Sequence, residues 1–209
     1  MYYLSLFVNV LQSLDAECFV LLNKILLNNS FMQYMVGILS HKNESWINII
    51  IMLLLNILAV FMVPKFKRNK SIIIILYCWI SFQIFLLING VFFHKILCIN
   101  RNSPSVVIAG AIKLSNLLNN VNIKDYSNNS FPAGHTLVLV YWVLFINLYA
   151  PKKITILAIM ISILIIMSRV ITGAHWLSDT LFSMFLGWLY FKLSIWFANN
   201  NERIKYCLY

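Results

Sequence analysis

This sequence predicts an all-α fold, a polytopic bundle of transmembrane helices with five or six spans, on three observations. The 209 residues are 61% hydrophobic and only 11% charged, with a mean hydropathy of +0.83, whereas soluble domains carry about 25% charged residues. The apolar residues gather into runs near the length that a hydrocarbon core about 30 Å thick demands, roughly 20 residues of helix. The basic residues stand in short clusters between those runs, as the charges that orient membrane proteins do. That placement also argues against nucleic acid as the reason for the net charge of +10, because no basic face interleaved with aromatics is present.

Taken in order, the elements begin with an ambiguous stretch. "MYYLSLFVNVLQSL" is too short to span alone and is followed by Asp15, Glu17, Lys24, Asn28 and Asn29. Residues 1–40 are therefore expected to form interfacial helices, with a sixth span as the alternative, beside a transmembrane bundle at 41–209. No Lys or Arg precedes Lys24 and no small-residue cleavage pattern follows, so a removable leader is not expected. Five spans are predicted at residues 46–63, 71–93, 135–150, 153–170 and 176–198. Cys18, Cys78, Cys98 and Cys207 lie far apart without paired spacing, so neither a disulfide framework nor a zinc site is expected.

Five spans place Lys65, Lys67, Arg68, Lys70, Lys152, Lys153, Lys192, Arg203 and Lys205 on one side against a single acid, Glu202. By the positive-inside rule that side is cytoplasmic. The opposite face then receives three polar stretches, "HKILCINRNSP" (94–104), "SFPAGH" (130–135) and "SRVITGAHWLSD" (168–179).

These stretches carry chemistry. His175 and Asp179 are four residues apart, so a helix continuing through both would let the carboxylate accept a hydrogen bond from one imidazole nitrogen and leave the other to attack. Arg169 and Arg101 bring guanidinium groups, which match phosphate oxygens and stay charged, so two of them imply an anionic ligand. Gly134 permits close backbone approach at a helix start whose N–H groups favour an anion, which would set His135 beside a bound phosphate. Taken singly, each of these residues reads more simply as a structural or snorkelling side chain; their combination points to a site. A divalent ion on His135, His175 and Asp179 is the rival reading, disfavoured by two arginines that would repel a cation, and neither metal nor cofactor is expected.

"FPAGH" and "SRVITGAHWLSD" resemble the second and third signatures of the type 2 phosphatidic acid phosphatase (PAP2) superfamily, PSGH and SR-x5-H-x3-D. The resemblance implies a membrane enzyme in which His175 is the nucleophile, Asp179 its orienting carboxylate, His135 the general acid, and Arg169 with Arg101 the phosphate clamp, helped by the Gly134 N–H. "LDAECFVLLNKIL", "RNSPSVV", "LSNLL" and "KDYSNNSFPAGH" further resemble the branch that moves a phosphoryl group from undecaprenyl diphosphate to the 1-phosphate of lipid A at the bacterial inner membrane, with its site facing the periplasm. Two departures stand out. The lysine of the first signature falls at His94, with Lys95 one residue late, and the serine of PSGH is Ala133, which leaves Ser130 or Lys124 to compensate. The alternatives are a lipid phosphatase acting on undecaprenyl diphosphate, lipid A or phosphatidylglycerol phosphate, and a non-catalytic member that binds or transports lipid.

Overall fold

A chain surrounded by lipid must satisfy its own backbone hydrogen bonds, and a helix does so within one segment. The apolar runs accordingly fold as helices in the computed structural model, which describes residues 2–42 and 44–200. In chain order these are α1 (Tyr2–Asn23), α2 (Ser30–Leu39), α3 (Glu44–Met62), α4 (Arg68–Gly90), the short α5 (Pro104–Val107) and α6 (Leu114–Leu117), α7 (Gly134–Tyr149), α8 (Lys152–Ile171) and α9 (Leu177–Asn199). A π-helical turn, Val91–Ile96, prolongs α4. Among the described residues there is no strand, only a bridge between His41 and Ile123. Arg203, Lys205 and Cys207 lie outside the described residues.

The five expected spans coincide with α3, α4, α7, α8 and α9 to within a few residues. Lys65–Phe93, Lys152–Ile171 and Leu177–Asn199 are long and apolar enough to cross a membrane, whereas Ile50–Met62 and Gly134–Tyr149 are shorter apolar helices. Together with the family described below, they make this a multi-pass membrane protein.

The expected division at residue 40 is not how the chain packs. Its contacts form one compact unit from Met1–Glu44, Asn100–Ala133 and Leu164–Ser183, and another from Ser45–Ile99, Gly134–Ile163 and Met184–Tyr209. In the first, Leu26 and Val36 are buried against Leu114, Leu118 and Ile123, so the N-terminal helices share a core with the long loop. The apolar residues of α2 and the loop make that docking favourable, at about 25 cal/mol per Å² buried. Asn23 ties α1 down further, its amide donating to the Ile112 and Ile171 carbonyls (3.1 and 2.9 Å) and accepting from the Ile112 N–H (2.7 Å).

The second unit is held by aromatic and hydroxyl contacts suited to lipid, where polar groups pair within the protein. Tyr141 packs against Phe82 and Phe145, and Phe85 stacks on Tyr190 at 4.5 Å. The Tyr141 hydroxyl meets Ser194 Oγ at 2.9 Å and Tyr77 donates to the Ser194 carbonyl at 2.7 Å. Gly187 lets α9 approach α7 closely, since a Cβ there would meet the Leu137 carbonyl oxygen at 2.9 Å.

Candidate active site

The first unit assembles its site around the junction of α8 and α9. Helix α8 stops at Gly173, whose φ of +78° is the left-handed conformation that glycine adopts without penalty. The Ala174 N–H donates to the Arg169 carbonyl (3.0 Å) and the Gly173 N–H to the Val170 carbonyl (3.1 Å), the bond pair of a Schellman motif. A side chain at 173 would also strike Ser105 Cβ at 2.8 Å and Phe19 at 2.9 Å. The chain therefore turns sharply, delivers His175 and restarts as α9, with the Trp176 carbonyl accepting from the Thr180 N–H at 3.2 Å.

His175 is buried, and its Nδ1 lies 2.7 Å from the Ser130 carbonyl oxygen. A carbonyl can only accept, so Nδ1 carries the proton and a neutral ring keeps its lone pair on Nε2. The sequence expectation that Asp179 would orient this ring is corrected at Nδ1. The four-residue spacing pairs side chains only on continuous helix, and His175 precedes the first helical residue of α9. Asp179 instead turns back to its own helix start, where Oδ2 accepts from the Trp176 N–H at 3.1 Å, a favourable place for a carboxylate.

Arg101 joins the same cluster. Its Nη1 donates to Asp179 Oδ1 (2.5 Å) and Ser178 Oγ (2.7 Å), and its Nη2 donates to Asp15 Oδ2 (2.7 Å). Its guanidinium carbon lies 4.9 Å from the centre of the Trp176 ring, itself fixed by an indole N–H bond to the Asn102 carbonyl (2.8 Å). The Arg101 carbonyl accepts from the Ser130 N–H at 2.7 Å. One residue, Ser130, thus links the backbone of Arg101 to the ring of His175.

Ser130 was expected to offer its hydroxyl to phosphate. It is wholly buried, with Oγ beside the Asp179 carboxylate, so its contribution comes from the main chain. Arg169, expected in the phosphate clamp, is 1% exposed, and its Nη1 and Nη2 donate to the carbonyls of Lys124 (2.9 Å) and His41 (3.4 Å). It binds the place where residues 40–42 and 122–124 run side by side, joined by the Lys42 N–H to Asn122 carbonyl (2.7 Å) and Lys124 N–H to Ser40 carbonyl (2.9 Å) bonds. Burial behind those carbonyls gives it a loop-holding role in this structure.

In the second unit Gly134 and His135 open α7, and a Cβ on Gly134 would meet nothing within 4 Å. Both residues line an apolar cavity of about 360 Å³ whose walls include Trp79, Phe82, Gln83 and Trp142. Lys95 is exposed on the π-helical turn.

Asp15, Ser178 and Trp176 belong to the site although the sequence reading did not place them there. The usable signal was Asp15 itself, an acid following an apolar stretch without charge, since ionisable residues in such segments mark functional positions.

The fold and this cluster define a class. The PAP2 superfamily profile matches residues 87–203, more than half of the chain, and the chain belongs to that superfamily of membrane phosphatases and phosphotransferases. Among characterised proteins it is similar to lipid A 1-diphosphate synthase of Escherichia coli (strain K12), 24% identical over 170 residues, covering 79% of this chain and 68% of that protein. In fold it resembles a transmembrane PAP2-type phosphatidylglycerolphosphate phosphatase from Bacillus subtilis, with a TM-score of 0.56 and 20% identity over 97% of this chain and 99% of that one.

Proposed function

We propose that the protein is a lipid phosphotransferase that moves the terminal phosphoryl group of undecaprenyl diphosphate to the 1-phosphate of lipid A through a phosphohistidine at His175. The observation that carries this reading is the His175 Nδ1–H bond to the Ser130 carbonyl, which leaves Nε2 as the nucleophilic nitrogen. The likeness to lipid A 1-diphosphate synthase supports the choice of acceptor, and the donor is the one that the sequence resemblance implies.

The Nε2 lone pair forms a bond to the terminal phosphorus as the bridging P–O bond breaks, and undecaprenyl phosphate departs with that electron pair. The ring becomes a phosphorylated imidazolium, whose positive charge the Ser130 carbonyl stabilises through Nδ1–H. An oxygen of the acceptor phosphate then attacks phosphorus, the P–N bond breaks and neutral His175 returns. Phosphoryl transfer rests chiefly on positioning and on charge complementary to the equatorial oxygens, which is the role assigned to Arg101. His135 is assigned protonation of the leaving oxygen, a modest help for a phosphate leaving group and a larger one for an alkoxide. No step requires a metal, so turnover is expected to survive EDTA. The excess of Lys and Arg on the opposite side of the spans supports a site facing the periplasm from the inner membrane.

The test is turnover of undecaprenyl diphosphate in detergent, with and without lipid A, by wild type and His175→Ala. Diphosphorylated lipid A formed with little free phosphate, and lost in His175→Ala, is the expected result. Phosphate release irrespective of lipid A would make the protein a phosphatase on the same residues. Full activity in His175→Ala would refute the phosphohistidine.

A further inference from the structure

We infer that Asp15, on the first helix of the chain, is a positioning residue that holds Arg101 in the orientation from which it binds a lipid phosphate; this rests on the role proposed for Arg101 above.

Nη1 of Arg101 is committed to Ser178 and Asp179, Nη2 reaches Asp15, and Nε has no partner among the described residues while the side chain keeps 29% of its surface exposed. Arg101 therefore still has an N–H to offer outward, and the plane in which it does so is set by two carboxylates rather than one. Asp179 fixes one corner. Asp15 fixes the other, and it is itself anchored, because Oδ1 accepts from the Ser178 N–H (2.9 Å) and Oδ2 from the Ser178 hydroxyl. Its side chain is 6% exposed, so it sits in the cluster rather than at its rim.

Two carboxylates against one guanidinium give this cluster a formal charge of −1. On Coulomb attraction alone, removing the Asp15 charge would favour an incoming phosphate. If Asp15 instead orients the guanidinium, its removal weakens phosphate binding, because the planar donor set loses the bond that fixes it. The two effects have opposite signs.

The experiment measures binding of dioleoyl phosphatidate in detergent to the full chain carrying His175→Ala, so that the lipid is not consumed. Asp15→Asn keeps the size and an oxygen acceptor for the Ser178 N–H but removes the negative charge that faces Arg101. The expected result is a Kd raised about tenfold, the loss of one charge-assisted hydrogen bond at the low end of its range. Asn23→Ala, which loosens α1 at Ile112 and Ile171 without touching Arg101, is expected to leave Kd unchanged. Asp15→Asn is expected to add nothing in an Arg101→Gln background, because its effect runs through that residue.

A Kd that falls or stays the same in Asp15→Asn overturns the proposal. So does an equal weakening by Asn23→Ala, which would mean general loosening of α1, and so does an absence of measurable binding by the parent. Should the expected pattern hold while wild type turns over no lipid phosphate, the proposed reaction fails and the assignment of Asp15 stands.

Discussion

Replacing Arg101 by leucine should destabilise the protein by about 3 kcal/mol, the low end of the cost of breaking a buried ion pair from one side. The low end applies because Arg101 keeps 29% of its side-chain surface exposed, whereas Asp15 and Asp179 keep 6% and 0%. The cost lies in what remains. Two enclosed carboxylates lose their cation, and Asp179, left with the Trp176 N–H and the neighbouring Ser130 hydroxyl, must take up a proton or stay charged without its partner. For a chain of this size, 3 kcal/mol corresponds to a melting point lowered by about 6 to 12 °C. Thermal unfolding in detergent followed by tryptophan fluorescence reads the shift. The triple variant Arg101→Leu with Asp15→Asn and Asp179→Asn should recover a large part of it, because removing all the charges leaves no ion unpaired. A melting point for Arg101→Leu within about 2 °C of wild type, a shift of 1 kcal/mol or less, would refute the reasoning.

Gly173→Ala should cost about 2 kcal/mol or more, since it combines a φ of +78° with a Cβ 2.8 Å from that of Ser105, and it should abolish phosphate transfer by moving His175; unfolding and turnover measured on the same preparation check both. Gly187→Ala should cost about 1 to 3 kcal/mol, because its Cβ meets a backbone oxygen that cannot turn aside. A melting point unchanged in Gly187→Ala would show that α7 and α9 separate more easily than their packing indicates.

Much of the fold was legible because lipid imposes a strong constraint on sequence. The runs that become α4, α8 and α9 could hardly be read otherwise, and Pro151 marks the break between α7 and α8. The polar stretches holding Arg101, Ser130, His175 and Asp179 were legible as a group, and the structure brings those four together. Their wiring was not. The pairing of His175 with Asp179 assumed helix through both residues, whereas α9 begins only at Leu177, and periodicity cannot reveal a carbonyl acceptor 45 residues away. Asp15 meets Arg101 across 86 residues and Asn23 meets Ile171 across 148, contacts that depend on how the N-terminal helices dock. The enclosure of Arg169 follows from the loop folding back over it, which no local pattern announces.

The bond between His175 and residue 130 is made by a peptide carbonyl, and this has a consequence for genetics. Alanine scanning removes side chains and leaves that oxygen in place, so a mutational map could pass over residue 130 while every other part of the site registers. Chemistry that alters the backbone can see it. An ester in place of the amide between Ser130 and Phe131 weakens the carbonyl as an acceptor and leaves every side chain unchanged, so the ring of His175 would lose its anchor in a protein whose side chains are all wild type.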